Sequence, residues 1–406
     1  MEVLKAPPVR RYLMSTGLAT VGHNLLITVL FKQAFDITHD NLNIGLIGLA
    51  QFVPAVLLVL VSGVVADRFD RRRVTALFLL GRVACAGAMI AYSQSGSGRM
   101  LPVFAVAFVF GAADAMISPA RRSIPPLIST PETFPQLIAL WTATFTGASI
   151  VGPVLGGFLY SVNPSTAYSV AGVMELVSIV PILAVVYTRQ PERDMERPTL
   201  HKAMEGLRFV RRTPIVLAAI SLDLFAVLFG GAIALIPSVA ADRLHVGNIA
   251  YGWLRAAPGI GAALMALWLA ARPVRRRVGP MLLVVVAVFG AGTVVFGVTR
   301  SYTVAFMALV VLSAADMISM FIRGSIVPLA TPEDQLGRVS AVEGVFIGAS
   351  NELGAFESGV AARWFGVPWS IAGGGVMTIA IAASFALVFP ALRRIDTFDE
   401  VIASSD

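Results

Sequence analysis

Twelve times this chain runs for roughly 20 residues with almost no charge, the length of helix needed to cross a hydrocarbon core about 30 Å thick. The runs fall near 11–35, 43–66, 74–94, 101–120, 136–160, 166–188, 214–239, 248–271, 279–299, 303–323, 338–362 and 368–391. Lipid offers backbone groups no partner, and these runs are too long and too uniformly apolar for the alternating strands of a barrel. The expected fold is therefore all-α, a membrane protein of 12 transmembrane helices. Composition closes the other options, because 57% of the 406 residues are hydrophobic and only 14% charged, which sets aside soluble, disordered and disulfide-rich classes. The single Cys85 excludes an intramolecular disulfide, and the histidines His23, His39, His201 and His245 are too scattered for a metal site, so no metal and no cofactor is expected.

The net charge of +7 matters through its placement. Of 31 Lys and Arg, 24 fall on one side of the membrane if the amino terminus is cytoplasmic. Only Arg99, Arg243, Arg300 and Arg363 fall on the other side, while Lys32, Arg82 and Arg255 lie within runs. Inner loops carry the excess of basic residues, so both termini are expected inside, in a bacterial-type cytoplasmic membrane. Cations placed beside spans mark a lipid bilayer as the partner and leave no surface for nucleic acid.

The chain reads as two copies of one pattern. Arg71-Arg72-Arg73-Val74 recurs as Arg275-Arg276-Arg277-Val278, and Ala112-Ala113-Asp114 as Ala314-Ala315-Asp316. Arg121 with Ser123, Ile124, Pro126 and Leu127 recurs as Arg323 with Ser325, Ile326, Pro328 and Leu329, and Phe145 to Ser149 as Phe346 to Ser350. The expected domains are an N-terminal six-helix bundle (1–188), a cytoplasmic linker with a surface helix (189–213) and a C-terminal six-helix bundle with a short tail (214–406). Two halves in the same membrane orientation are the parallel repeat of transporters whose halves rock about a central site.

Between the second and third runs stands Gly63-Val-Val-Ala-Asp67-Arg68-Phe-Asp70-Arg71-Arg72-Arg73-Val74. Asp67 sits among four arginines, where it can pair with them or accept donors from a neighbouring helix start, a gating latch; the alternative is a basic anchor with an incidental carboxylate. In the second copy Ala271 stands where the first has Asp67, so the latch is expected to be asymmetric. The segment resembles the loop between the second and third helices of the major facilitator superfamily, with Asp70 where the general pattern has Gly. Ser118-Pro119-Ala120-Arg121-Arg122, the run Glu205 to Arg212 and Ser350-Asn351-Glu352-Leu353-Gly354 look like the enterobactin-exporter-like branch, often called transmembrane secretion effectors. Gly147, Gly152-Pro153 and Gly156-Gly157 resemble the antiporter motif of drug exporters, with Ala148 where the full pattern has Gly. Small residues there also serve plain close packing of helices.

A charge at mid-bilayer costs on the order of 2.5 to 3.5 kcal/mol, so each one is expected to face protein or water. In superfamily members the first, fourth, seventh and tenth helices line the cavity, which by resemblance selects His23, Asn24, Asp114, Asp223 and Asp316. Asp114 and Asp316 divide evenly between function and structural ties to Arg121 and Arg323, seven residues on. Glu352, beside Asn351, is a candidate coupling carboxylate or a buried hydrogen-bonding group. Arg255 with Glu357 is the candidate static ion pair. The fourth run lacks the arginine that drug antiporters commonly place there.

The resulting expectation is a secondary active transporter, a monomer and not an enzyme, exporting a small amphipathic drug-like or siderophore-like compound by alternating access coupled to protons or another ion. The alternative is uptake, or flipping of a lipid-like substrate, on the same fold. No nucleotide is needed, since none of Lys5, Lys32 and Lys202 follows a glycine as a Walker loop demands.

Overall fold

The computed structural model describes residues 3–187 and 200–403, which are helix and turn throughout. The first part of the expected linker, with Pro191 and Pro198, lies outside the described residues. Twelve long helices carry the fold. The first six are α1 (Pro7–Thr38), α2 (Asn41–Arg68), α3 (Arg71–Ser95), α4 (Leu101–Arg122), α5 (Phe134–Val162) and α6 (Pro164–Leu183). After a linker helix, Leu200–Arg212, come α7 (Pro214–Gly230), α8 (Asn248–Ala271), α9 (Val278–Val298), α10 (Tyr302–Leu329), α11 (Glu333–Phe365) and α12 (Val367–Val388).

Eleven of these are long and apolar enough to cross a membrane, α7 being counted with its continuation to Arg243. The exception is α11, 33 residues long and interrupted by Glu343, Glu352 and Glu357. Large apolar side chains such as Leu57, Leu101, Val180, Leu267 and Leu387 point outward, as a lipid-facing surface requires.

Local chemistry sets the helix ends. Pro7, Pro102, Pro135, Pro164, Pro214 and Pro368 stand in first turns, where the missing N–H costs nothing. Asp40, Asp70 and Asn163 cap α2, α3 and α6 by accepting from the backbone N–H two residues on. The start of α9 is held differently. Its N-cap residue Arg277 adopts a left-handed conformation (φ 54°) and donates its N–H to Asp396 Oδ1 at 3.0 Å, while Val278 and Gly279 donate to the carbonyls of Asp396 and Ile395.

The chain divides into two compact units. The first comprises Met1–Pro198 with Val246–Ala256, so it includes the opening turns of α8. In it α1 packs on α5 and α6, α3 on α4 and α6, and α2 on α4. The second comprises Thr199–His245 with Ala257–Asp406. There α7 packs on α11 and α12, and α9 on α10 and α12. Gly261 sets α8 against the backbone of Val310 in α10. The second list repeats the first, helix for helix, as a duplicated sequence should.

The linker helix packs against protein. Its amphipathic sequence suggests a membrane-surface helix, yet its small and apolar side goes to protein. Gly206 and Val210 are buried, a Cβ on Gly206 would meet the Arg338 carbonyl oxygen at 2.8 Å, and Arg338 Nη1 donates to Glu205 Oε2 at 2.7 Å. The helix is seated on α11.

Candidate functional site

Each unit buries one arginine between two carboxylates. In the first, Arg82 of α3 pairs with Asp114 of α4 and donates through Nη1 to Glu175 Oε1 of α6 at 3.2 Å. Arg82 and Glu175 are buried, whereas Asp114 keeps 47% of its side chain exposed. The guanidinium lies 5.1 Å from the Phe110 ring centroid, and His23 of α1 packs against the same ring. The arginine absent from the fourth run is thus supplied by the third helix. Glu175 Oε2, Arg82 Nε and His23 Nδ1 are buried without a protein partner among the described residues.

In the second unit, Arg323 of α10 contacts Asp223 of α7 at 2.7 Å and Asp316 of its own helix at 3.9 Å. Asp223 is buried and Asp316 keeps 37% of its side chain exposed. Both carboxylates and Ser319 line a cavity of about 10 Å³, the size of one water-sized probe. Two carboxylates against one guanidinium leave one surplus negative charge in each group when all three are ionised. In lipid surroundings such a charge calls for a proton or cation.

These placements revise the structural ties read from sequence. Arg323 does reach Asp316, seven residues back, but Asp114 is tied to Arg82 and not to Arg121. Arg121 instead donates to the Ser15 carbonyl oxygen at 3.1 Å and its own carbonyl accepts from the Tyr12 hydroxyl. Glu175 stands as a lone charge in the sixth apolar run, and sequence alone does not assign it to this group.

The arginine-rich turn also redistributes its roles. Asp67 is exposed and makes no ion pair among the described residues, and Asp70 is the residue that binds. Asp70 accepts from the Arg72 N–H, from Arg72 Nε at 3.0 Å and Nη2 at 2.6 Å, and from the Tyr187 hydroxyl at 3.2 Å. The Arg72 hydrogen bonds hold its carboxyl down to about 2, against the opposing effect of burial. Arg72 Nη1 also donates to the Val185 carbonyl and stacks over Tyr187, while Arg71 Nη1 donates to the Ser123 carbonyl. Burial pushes the Tyr187 hydroxyl up to about 12, aided by the neighbouring Asp70 charge. Arg68 and Arg73 are exposed. The departure from the family's Gly therefore has a function, because a carboxylate at 70 caps α3 and pins it to the end of α6.

The glycine motif of α5 works on two sides. A Cβ on Gly152 would meet Asn24 Cβ at 2.6 Å, and one on Gly156 would meet Thr28 at 3.3 Å, so these residues seat α5 on α1. Gly157 faces Gly252 in the opening turns of α8, where a Cβ on Gly252 would lie 2.7 Å from the Pro153 carbonyl oxygen. Gly147 has open space around it. Backbones this close require small residues.

Of the remaining candidates, Asn24 donates to the Thr20 carbonyl and exposed Asn351 to the Ile347 carbonyl, each within its own helix. Glu352 is half-buried on α11 two residues before Gly354, which packs on the Val227 and Leu228 backbone of α7. Arg255 belongs to the first unit, over the Phe31 ring, and Glu357 to the second, so their pairing stands as a sequence expectation. One polar cluster was not anticipated. At the far end of α1, Lys32 pairs with Asp36, which accepts from the Tyr160 hydroxyl, while Tyr168 donates to Gln33 and Gln33 to Ser93.

Comparison with known proteins follows the same lines. A family model described as Major Facilitator Superfamily matches residues 12–355. The enterobactin exporter EntS of Escherichia coli O1:K1 / APEC is 25% identical over 425 residues, covering 100% of this chain and 98% of that protein. The enterobactin exporter EntS of Shigella boydii serotype 18 is likewise 25% identical over the same coverage. Among solved structures, a bacterial homolog of the human lysosomal transporter Spinster superposes with a TM-score of 0.68 at 15% identity, covering 98% of this chain and 97% of that one. A D-xylose-proton symporter superposes with a TM-score of 0.71 at 11% identity, covering 93% and 96%. At these identities the structural matches speak for the fold.

Proposed function

We propose that this chain, which belongs to the Major Facilitator Superfamily, exports a small amphipathic compound of siderophore or drug class and couples that export to inward movement of protons. The coarser reading is firm: it is a secondary transporter of the cytoplasmic membrane, multi-pass and not an enzyme.

The observation that carries the coupling is the pair of buried groups in which one arginine serves two carboxylates, Arg82 with Asp114 and Glu175, and Arg323 with Asp223 and Asp316. A surplus negative charge in a membrane interior is relieved by binding one proton, and the partly exposed carboxylate of each group is the one that reaches that proton. One charge crossing 100 mV supplies about 2.3 kcal/mol, enough for roughly fifty-fold accumulation per proton. Asp316 beside the 10 Å³ cavity is the leading coupling residue. Glu352, half-buried on the least apolar long helix, is the second candidate.

Export rather than uptake is favoured by full-length similarity to enterobactin exporters and by the Gly152-Pro153-Gly156-Gly157 seam. The arginine-rich turn, pinned through Asp70 and Arg72, serves as the gating latch. Flux assays in everted membrane vesicles test this, with enterobactin as the first probe. Accumulation driven by an imposed proton gradient and abolished by a protonophore is the expected result. Accumulation indifferent to the protonophore would refute proton coupling, and gradient-driven accumulation in right-side-out vesicles alone would refute export.

A further inference from the structure

We propose that the arginine-poor end of the second unit binds a phospholipid headgroup of the ethanolamine kind, its phosphate held by Arg300 and Arg243 and its ammonium by Asp242. A cavity of about 650 Å³ opens at this end, with Asp242, Arg243, His245, Arg300, Val367 and Pro368 among its lining. That volume is in the range of small-ligand sites, generally about 300 to 1,000 Å³.

The charges are the first argument. Only four Lys or Arg fall in the loops that the basic-residue bias places outside, and two of them, with His245, converge on this one cavity. Arg243 is fixed in place: Nε donates to the Thr299 carbonyl at 2.6 Å and Nη2 to the Val298 carbonyl, which leaves Nη1 for a ligand. The same turn continues into Arg300, which is exposed and makes no ion pair among the described residues. Two guanidiniums side by side repel unless an anion lies between them, and a phosphate accepts from both. Asp242, exposed in the same cavity, supplies the opposite charge for an ammonium. The lining thus matches a zwitterion and not a simple anion.

Depth is the second argument. Val367 and Pro368 open α12 beside the end of α11, where Trp364, Phe365 and Trp369 leave 79%, 68% and 73% of their surface exposed. Exposed tryptophans at helix ends sit at the headgroup level of a bilayer, so the cavity lies where headgroups are. The backbone is the third. Arg243 closes a π-helical turn, Val239–Arg243, and His245 adopts a left-handed conformation (φ 51°), two uncommon geometries that recur around ligand sites.

The experiment is a titration of detergent-purified full-length protein, read by native mass spectrometry, with short-chain phosphatidylethanolamine, phosphatidylcholine, phosphatidylglycerol and inorganic phosphate as separate probes. The ethanolamine lipid is expected to bind about tenfold more tightly than the other three. Arg300→Gln is expected to weaken it about tenfold. Asp242→Asn is expected to erase the preference for ethanolamine over choline while leaving overall lipid binding in place. Both residues are exposed, so either variant serves if the other does not fold. Equal binding of the three lipids, or Arg300→Gln binding like the wild type, would overturn the proposal. Inorganic phosphate competing as well as the lipid would overturn it in favour of a free-anion site.

Discussion

The two units hold the same charge pattern by opposite means. In the first, the arginine comes from another helix, Arg82 of α3 reaching Asp114 on α4, whereas the helix after the basic turn is capped locally by Asp70. In the second, the arginine comes from the same helix as its carboxylate, Arg323 and Asp316 on α10, whereas the helix after the basic turn is held by Asp396, 119 residues away. Duplication fixed where Asp114 and Asp316 stand, and each copy then found its own cation and its own cap. What is kept between the copies is the charge count, one guanidinium to two carboxylates, and not the address of each partner. The groups also differ in tightness. Glu175 is wholly buried behind Arg82, while Arg323 stands 3.9 Å from Asp316 beside a small cavity.

The strongest way to break the comparison is to remove each arginine. Arg82→Leu strands two carboxylates, one of them fully buried, and is expected to cost about 3–5 kcal/mol. Arg323→Leu should cost less, because the looser group admits a proton more readily. Thermal unfolding of the two variants in detergent checks the order, and a larger loss for Arg323→Leu would reverse it.

Neutralising the paired carboxylates sharpens it next. Asp316→Asn is expected to abolish gradient-driven accumulation, a drop of roughly fifty-fold at 100 mV per coupled proton. Asp114→Asn, in the tighter group, should lower accumulation less. Equal and small effects in vesicle flux would move coupling elsewhere, with Glu352→Gln the next variant to assay.

The caps give the smallest effects. Asp70→Ala is expected to cost about 1 kcal/mol near neutral pH. Because the folded carboxyl is held down to about 2, that stabilisation is present above the ordinary carboxylate range and is lost as pH falls toward 2. Unfolding midpoints of wild type and variant should therefore converge in acid. Asp396→Ala should cost a similar amount at the start of α9, since its carboxylate accepts from the Arg277 N–H. It is detectable as faster hydrogen exchange in the first turn of that helix.

The fold was legible in the sequence because lipid permits one spanning solution for long apolar runs, and helix ends followed from Pro, Asp and Asn in first turns. The charged residues of the site were legible too, since Asp114, Asp223 and Asp316 stand out in apolar surroundings. Their partners were not. Which helix faces which is set by packing over long separations, so the nearby Arg121 stood as the partner for Asp114, and Arg82 on another helix did not come into view. Asp67 reads as the latch of the basic turn because it sits among four arginines, yet a residue directly before a helix start is the one whose carboxylate meets free N–H groups. That rule, applied to position 70, would have found it.

The contacts of the linker helix were not legible for a related reason, since an amphipathic face does not say which neighbour will cover it. The helix is seated on α11 through Gly206 and clasped by Glu205 and Arg338. A change at Gly206 or Glu205 would therefore be felt first at Arg338 of α11. An insertion at Gly206 would collide with the Arg338 backbone, so a reporter fused there is expected to unseat the helix from α11.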